Sequence, residues 1–184
     1  DQDYGFVFQS PTLYAWRTVI KNVQLPLEIM KYPKDKSIER ARAMLRLVEL
    51  GEFENKYPWQ LSGGMQQRVS IARALSFEPG ILLMDEPFGA LDEMTPERMN
   101  NELLRIWGAI PDMTVIFVTH SISEAVYLSS RVVVMSPRPG RIADVIDIDL
   151  PRPRGPETRD LDAFFHLSNR VRHALRAGVS GAEV

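Results

Sequence analysis

Apolar and polar positions follow two periods along this chain, and the change between them divides it into short strands and longer helices. The predicted strands cover residues 4–8, 81–84, 114–119, 131–135 and 141–150. The predicted helices cover residues 19–29, 38–50, 65–75, 97–107, 124–130 and 159–177. Because residues 81–84 are continuously apolar, we expect this strand to be buried on both faces of a sheet.

Polar residues before the helical segments predict where those helices begin. Thr18 and Ser37 are the expected N-caps of the first two helices, and Pro26 is expected to kink or end the first. Ser121 and Glu124 have the spacing of a capping box. Residues 11–79 are therefore predicted to be mostly helical.

A serine and two glycines, Ser62, Gly63 and Gly64, stand directly before a run of good helix formers. Glycines leave the backbone N–H groups at a helix N-terminus open to a ligand, and the helix dipole favours an anion there. Alone, the same three residues are more often just a turn and helix cap than an anion site.

Polar side chains follow three of the predicted strands. Gln9 follows the first strand, Asp85 and Glu86 follow the second, and His120 follows the third. Open α/β sheets bind ligands at the carboxyl ends of their strands, where one carboxylate could hold Mg²⁺ and its neighbour could orient or deprotonate a water. Taken singly, each residue is also explained as an exposed loop or structural residue, but three strand ends converging strengthen the functional interpretation.

Leu13, Tyr14, Trp16 and Val19 form an apolar group just after Gln9. Two interpretations remain open for this group. It is either a protein-binding patch beside a hinge or a part of the local core.

Composition limits the classes of function. The 184 residues are 45 % hydrophobic, which is enough for a core, and the net charge of -2 with a pI near 6.0 gives no basic footprint for nucleic acid. There are no cysteines, which excludes disulfides and thiolate metal sites and favours a reducing compartment. No apolar run approaches the ~20 residues that span a bilayer, so membrane association is expected only through a partner.

Three consecutive segments resemble motifs of ATP-binding cassette (ABC) ATPases. Leu61 to Arg68 resembles the signature motif, Ile81 to Pro87 the Walker B strand, and Phe88 to Asp92 the D-loop. Residues Phe8 to Ser10 resemble the Q-loop. The resemblance implies an α/β fold of the P-loop NTPase type, with a mainly parallel sheet and an α-helical subdomain.

The resemblance also implies the boundaries within one partial nucleotide-binding domain. Residues 1–9 would hold a core strand and the Q-loop, and residues 10–79 the helical subdomain with the signature motif. Residues 80–150 would complete the core, and residues 151–184 would form a linker and a C-terminal helix, with the basic, proline-rich start of that stretch acting as a spacer.

For the site, the resemblance implies ATP and Mg²⁺ as the nucleotide and metal. Asp85 would be a magnesium ligand, Glu86 the base for the hydrolytic water, and Gln9 a metal contact and γ-phosphate sensor together with the switch residue His120. A further group would contact the ATP held by an opposing subunit: Ser62, Gly63, Gly64 and Gln66. Asp92 would lie at the dimer interface.

The resemblance is strongest to subunits of importers for nitrate, sulfonate and taurine. It implies a head-to-tail dimer with a second ABC ATPase subunit, a transmembrane permease, and indirectly a periplasmic or extracellular solute-binding protein, with no nucleic acid. The subunit would be cytoplasmic and peripheral on the inner face of the membrane.

The sequence contains no G-x-x-x-x-G-K-[ST] phosphate loop, which such an ATPase needs. We therefore expect a fragment, the C-terminal two thirds of a cassette, that is inactive alone. Two alternatives remain: a non-catalytic remnant or regulatory binding module, and a soluble cassette protein that acts outside transport. The intact set of Asp85, Glu86 and His120 disfavours the first, and the lack of tandem cassettes or long coiled coils disfavours the second.

Overall fold

The computed structural model describes residues 4–87, 96–110 and 112–180. Its strands are β1 (Tyr4–Val7), β2 (Ile81–Asp85), β3 (Thr114–Val118), β4 (Arg131–Met135) and β5 (Ile142–Asp147). Its helices are α1 (Val19–Ile29), α2 (Lys34–Leu47), α3 (Gly63–Leu75), α4 (Pro96–Gly108), α5 (Ile122–Leu128) and α6 (Asp162–Ser180). Three short 3-10 turns cover Gly51–Phe53, Pro58–Gln60 and Pro156–Asp160.

The chain divides into two compact units. The first comprises residues 1–99 and 105–118, and the second comprises residues 100–104 and 119–184. The first unit contains β1 to β3 with α1 to α3, and the second contains β4, β5, α5 and α6; α4 contributes residues to both. Each unit is described by itself below.

In the first unit the described strands form a parallel sheet in the order β1-β2-β3. Tyr4 pairs with Ile81 at the start of the sheet, and Asp85 pairs with Val118 at its end. Because all three strands run the same way, their carboxyl ends lie at one edge of the sheet. The predicted α/β fold with a mainly parallel sheet is confirmed.

Helix α3 covers one face of this sheet. Gly5 makes the close approach possible, because a Cβ at this position would lie only 3.0 Å from the Ala74 carbonyl oxygen. The strand residues on the covered face, Val7, Leu82 and Met84, are buried, whereas Phe6 on the opposite face of β1 is half exposed. The prediction that residues 81–84 are buried on both faces is wrong for this structure, since burial alternates along β2.

Helices α1, α2 and α3 pack around an aliphatic core. The core residues lie at helical spacing on the inner faces: Val19, Val23, Leu27, Ala41, Leu45, Val69 and Leu75. Pro26 lies inside α1 and does not end it. Thr18 occupies the N-cap position, but its side chain makes no capping bond. Instead, the carbonyls of Lys56 and Glu54 accept from the first two helical N–H groups, at 2.8 and 3.0 Å.

Helix α2 begins three residues before the predicted cap. Pro33 precedes its first residue, and Ser37 lies buried within the first turns. The Ser37 hydroxyl accepts from Gln24 Nε2 at 3.2 Å, which joins α2 to α1. The prediction that Ser37 caps this helix is therefore wrong, because a proline at the preceding turn starts the helix earlier.

In the second unit β4 and β5 pair antiparallel, with an irregular register at Val134 and Met135. Helix α6 packs on this pair and on α5, and Phe164 and Val171 supply its buried side. The predicted spacer after β5 is wrong at Arg154, which is only 8 % exposed. Its guanidinium donates to a group of backbone carbonyls at 2.8 to 3.4 Å: Val126, Tyr127, Ser129, Ile148 and Leu150.

Candidate functional site

The carboxyl edge of the parallel sheet brings Gln9 and Glu86 together. Gln9 follows β1 by two residues, and Glu86 directly follows β2. Gln9 Nε2 donates to Glu86 Oε2 at 3.4 Å, in a region exposed to solvent. This bond joins side chains 77 positions apart in sequence, so the predicted meeting of these two residues at one edge is what the structure shows.

Glu86 owes its direction to an unusual backbone. Its φ of 39° lies in the left-handed region, which a residue with a side chain enters at a cost of ~1–3 kcal/mol. The strain is held by the backbone, because Glu86 N donates to the Val118 carbonyl at 3.0 Å and extends the pairing of β2 with β3. The chain therefore leaves the extended conformation of β2 at Glu86, and the hydrogen bond to Val118 fixes the backbone of this residue.

Asp85 is the last residue of β2, and its side chain is exposed beside Glu86. Among the described residues no group of three or more His, Cys, Asp or Glu side chains could enclose a metal ion. Mg²⁺ does not need such an enclosure, since it keeps several waters and binds through one or two carboxylates together with phosphate oxygens. The exposed carboxylate of Asp85 fits this requirement for one such ligand.

The second candidate region is the start of α3. Ser62 is the N-cap, its carbonyl accepts from Gln66 N at 2.9 Å, and its hydroxyl accepts from Met65 N at 3.4 Å. Gly63 is exposed and Gly64 is buried. The 13-residue helix begins at Gly63, two residues before the predicted start at residue 65, and Ser62 is its N-cap. Its N-terminal dipole is directed at the serine and the first glycine.

Gln66 is placed differently from the other residues of this group. Its Nε2 donates to the carbonyls of Pro58 at 3.0 Å and Leu61 at 3.2 Å, so the side chain holds the turn that precedes α3. A nucleotide contact by Gln66 stays a prediction, and in this structure its amide nitrogen is already bonded to the protein.

His120 belongs to the second unit, where it is exposed just before α5. The N-cap of α5 is Ser121, whose hydroxyl accepts from Glu124 N at 3.3 Å. The Glu124 carboxylate does not complete the capping box directly; it accepts from the Thr119 hydroxyl at 2.7 Å, and Thr119 Oγ1 accepts from Ser121 N at 3.0 Å. The residues on both sides of His120 are thus fixed by hydrogen bonds.

Asp92 and the rest of the predicted D-loop lie outside the described residues. The apolar group after Gln9 is divided by the structure. Val19 is core, whereas Trp16 is 75 % exposed and lies against Tyr14 with the ring centroids 4.9 Å apart. Buried Asn22 fixes this turn by accepting from Tyr14 N at 2.8 Å and donating to the Tyr14 carbonyl at 3.1 Å.

Sequence reasoning missed two side chains of α3 that contact the segment around Gln9. Gln67 Nε2 donates to the Phe8 carbonyl at 3.0 Å, and Arg73 donates to carbonyls of Pro11 and Thr12 at 3.1 and 2.9 Å. No local sequence pattern identifies a partner about 60 positions away for either side chain.

Comparison with known proteins agrees with this geometry. The family model described as ABC transporter matches residues 1–89. The taurine import ATP-binding protein TauB of Rhizobium johnstonii is 51 % identical over 181 residues, covering 95 % of this chain and 68 % of that protein. The chain belongs to the ABC transporter family.

Further relatives and a solved structure support this ABC assignment. An uncharacterized ABC transporter ATP-binding protein of Methanocaldococcus jannaschii is 57 % identical over 152 residues, which are 83 % of this chain and 57 % of that protein. The aliphatic sulfonates import ATP-binding protein SsuB of Bacillus cereus is 44 % identical over 175 residues, covering 95 % of this chain and 66 % of that protein. The ABC chain therefore spans between 57 % and 68 % of the length of these relatives.

The ABC fold is also similar to that of the ATP-binding cassette MJ0796, solved as a dimer in a post-hydrolysis state bound to ADP and Pi. The TM-score is 0.65 at 38 % sequence identity, with 84 % of this chain and 65 % of that chain covered. No helix in the parts of the chain that the structure describes is both long and apolar enough to cross a membrane.

Proposed function

We propose that these residues belong to the ATP-binding and ATP-hydrolysing subunit of an ABC importer. The hydrogen bond from Gln9 to Glu86, next to Asp85 at the carboxyl edge of a parallel sheet, is the observation that supports this most. It joins an amide to the carboxylate of Glu86, and Asp85 precedes Glu86 in the chain; hydrolysis of a phosphate requires a metal ligand, a water-orienting group and a base at one place.

In this proposal Glu86 is the base that accepts a proton from the attacking water. Asp85 is the magnesium ligand, and the Gln9 amide contacts the metal and the water. Bound Mg²⁺ would neutralise the charge that develops on the phosphate oxygens. The long bond between Gln9 and Glu86 supports these roles, because a weak, exposed bond is readily exchanged for a water or a phosphate oxygen.

The start of α3 serves a second nucleotide in this proposal. Its backbone N–H groups and the Ser62 hydroxyl, with Gly63 and Gly64, would clamp the γ-phosphate of ATP held by an opposing subunit. Gln66 would act beside them, by holding the turn before α3 even if it does not reach the nucleotide. Asp92 would lie at the dimer interface, and His120 would hydrogen-bond the γ-phosphate.

The partners and location follow from the same proposal. The relatives named for taurine and aliphatic sulfonate import support nitrate, a sulfonate, taurine or a similar small solute as the transported molecule. The subunit would work as a head-to-tail dimer on a transmembrane permease, at the cytoplasmic face of the membrane, with a solute-binding protein acting indirectly. The division into core (residues 1–9 and 80–150), helical subdomain (10–79) and C-terminal part (151–184) is part of this proposal.

The hydrolytic role is tested in a cassette that contains these residues together with a glycine-lysine phosphate loop. Glu86→Gln should keep ATP binding and lose about 10²-fold or more in kcat, since it removes the base and leaves the metal ligand. Glu52→Gln, which changes an exposed carboxylate of a 3-10 turn, is the matched control and should keep wild-type turnover. Normal turnover in Glu86→Gln would reassign the base, and binding without turnover in the wild type would support a regulatory module instead.

The 184 residues alone should not hydrolyse ATP at a measurable rate, because they include no lysine loop to hold the β- and γ-phosphates. Phosphate release by the purified 184-residue polypeptide is the measurement. Magnesium-dependent release that Glu86→Gln removes would contradict this expectation.

A further inference from the structure

Residues 8–12, called the Gln9 segment below, are hydrogen-bonded to α3 on both sides of the glutamine. On one side, Gln67 Nε2 donates to the carbonyl of Phe8, the residue directly before Gln9, at 3.0 Å. On the other side, Arg73 Nη1 donates to the Thr12 carbonyl at 2.9 Å, and Arg73 Nη2 donates to the Pro11 carbonyl and to Thr12 Oγ1, both at 3.1 Å. Helix α3 therefore fixes the backbone before and after Gln9.

These contacts differ in their access to solvent: the Gln67 bond and the Arg73 bond to the Pro11 carbonyl are partly buried, whereas the Arg73 bonds to Thr12 are exposed. Gln67 is 1 % exposed, and burial lowers the pKa of the Arg73 guanidinium. A guanidinium removed from water is stable only where hydrogen bonds replace its hydration, and here backbone oxygens of the Gln9 segment do so. Hydrogen bonds from a charged donor are stronger than those from a neutral one, so Arg73 contributes to holding Pro11 and Thr12 in place.

The backbone at Thr12 shows that the segment is held under strain. Its φ of 47° lies in the left-handed region, where a threonine is uncommon. Such a conformation persists only where neighbouring contacts enforce it, and Arg73 supplies contacts to both the carbonyl and the hydroxyl of this residue. Without the bonds from Arg73, we expect the Thr12 backbone to leave the left-handed region.

Gln67 also has an acceptor that this arrangement does not use. Its Oε1 is buried without a hydrogen-bond partner among the described residues. A buried unsatisfied oxygen carries a free-energy cost, which offsets part of the stability that the bond of Gln67 Nε2 to the Phe8 carbonyl supplies. The Gln67 contact is therefore a fixed support of smaller net contribution than the Arg73 contacts.

We infer that Gln67 and Arg73 are positioning residues that make the Gln9 segment and the start of α3 move as one body. A change at Gln9 that follows the nucleotide would then be transmitted through α3 to Ser62 and Gly63, which face a different nucleotide. This inference rests on the proposed function for its consequence in turnover. The mechanical connection itself can be measured without turnover.

The mechanical test uses two nitroxide labels in the cassette with its phosphate loop. The described chain has no native cysteine to interfere, so labels can be placed at Trp16→Cys, beyond the Gln9 segment, and at Trp59→Cys, on the turn that Gln66 fastens to α3. We expect one narrow distance distribution with and without Mg²⁺-ATP. Arg73→Met should broaden it in both conditions, and Gln67→Leu should broaden it to a smaller extent.

Arg40→Met is the matched control. Arg40 also donates its guanidinium to backbone carbonyls of α3 and the residue after it, Leu75 at 3.4 Å and Ser76 at 3.0 Å, but it makes no bond to the Gln9 segment. It should leave the label distribution narrow even where it lowers the melting temperature. If Arg73→Met fails to fold, Gln67→Leu and Arg73→Lys carry the test.

Turnover supplies the second measurement. Arg73→Met should lower kcat about 5- to 150-fold with KM for ATP little changed, because the residues that hold the nucleotide stay in place while their coupling is lost. Arg73→Lys should recover part of kcat, since an ammonium can still donate to one or two of the carbonyls. A narrow distribution in Arg73→Met, or an equal broadening in Arg40→Met, would overturn the inference. A wild-type cassette that keeps the narrow distribution but does not hydrolyse ATP would overturn only the proposed function.

Discussion

Long polar side chains lie near the ends of secondary-structure elements in both units, but they differ in burial and in hydrogen bonding. The first unit has Gln9 and Glu86, and the second has Arg154. Gln9 and Glu86 share one exposed hydrogen bond of 3.4 Å. Arg154 is buried, and its shortest bonds to the carbonyls of Tyr127 and Ser129 are 2.8 Å. The first arrangement lies at a solvent-exposed edge of the sheet, whereas in the second the guanidinium bonds to backbone carbonyls in the interior.

The difference separates groups that act from groups that support. Burial lowers the pKa of Arg154 to about 10, so the guanidinium stays protonated at neutral pH and keeps its donors. Its carbonyl partners lie at the end of α5 and after β5, so it closes a helix end whose carbonyls have no partner within the helix. Substitutions in the exposed regions should therefore change activity, and substitutions in the buried one should change stability.

The largest effect is expected at the exposed start of α3, from Gly63→Asp in the cassette with its phosphate loop. A carboxylate at this position should abolish turnover, because it repels the phosphate proposed to bind there, and it should stabilise α3 by about 0.3–1 kcal/mol through the helix dipole. Steady-state phosphate release and thermal melting measure the two effects.

Gly63→Asn is the matched control for this change, since it has the same shape without the charge, and it should keep more turnover than Gly63→Asp. If Gly63→Asp lowers stability together with turnover, the expectation that substitutions in the exposed regions change activity and not stability is wrong. A loss of ATP binding by the monomer would show that the start of α3 serves the nucleotide of its own subunit.

The next effect in size concerns Arg154→Met, which should lower the free energy of unfolding by about 2–3 kcal/mol, because buried carbonyls lose a charged donor. Denaturant unfolding measures it. Arg152→Met removes a single bond to the Leu128 carbonyl from an exposed side chain and should cost much less. Equal costs for the two variants would mean that Arg154 acts as a surface residue.

The smallest effect is expected from Trp16→Ala, in the complete transporter. Trp16 and Tyr14 are exposed aromatic side chains beyond Gln9, and we expect them to receive a cytoplasmic helix of the permease. Transport should fall about tenfold relative to ATP hydrolysis, with ATP affinity unchanged. Trp59→Ala, from the similarly exposed pair of Tyr57 and Trp59, is the control. Normal transport in Trp16→Ala would place the permease elsewhere.

The sequence was sufficient where the relevant signal is local. The strand ends at Gln9, Asp85 and His120 follow from short apolar runs, and the cap at Ser62 follows from two glycines and a helical pattern. Ser37 misled because a proline four residues earlier starts α2 first, so the serine that would cap a shorter helix instead bonds Gln24 inside the core.

Contacts that join distant parts of the chain were not predictable in the same way. Arg154 lies in a proline-rich stretch that is typical of a solvated spacer, and its partners at the end of α5 lie up to 28 positions away. The bond of Gln67 to the Phe8 carbonyl spans 59 positions, and nothing in the composition of α3 selects that oxygen. Such bonds depend on how the helices and strands pack against one another. That packing is determined by the whole set of core residues and not by any local pattern.

The tight packing at Gly5 limits which substitutions this position can accept. At this point the Ala74 carbonyl of α3 lies so close to the strand that even one methyl group would meet it at 3.0 Å, along with Leu82 and Pro79 side chains at 3.1 Å. A 13-residue helix is about 20 Å long, so a small tilt forced near Ala74 becomes a larger displacement at Ser62. Most single-nucleotide changes in the Gly5 codon replace the glycine, and the resulting tilt of α3 would displace Ser62 at its other end. Position 5 should therefore tolerate fewer substitutions than the exposed residues Tyr4 and Phe6 on either side of it.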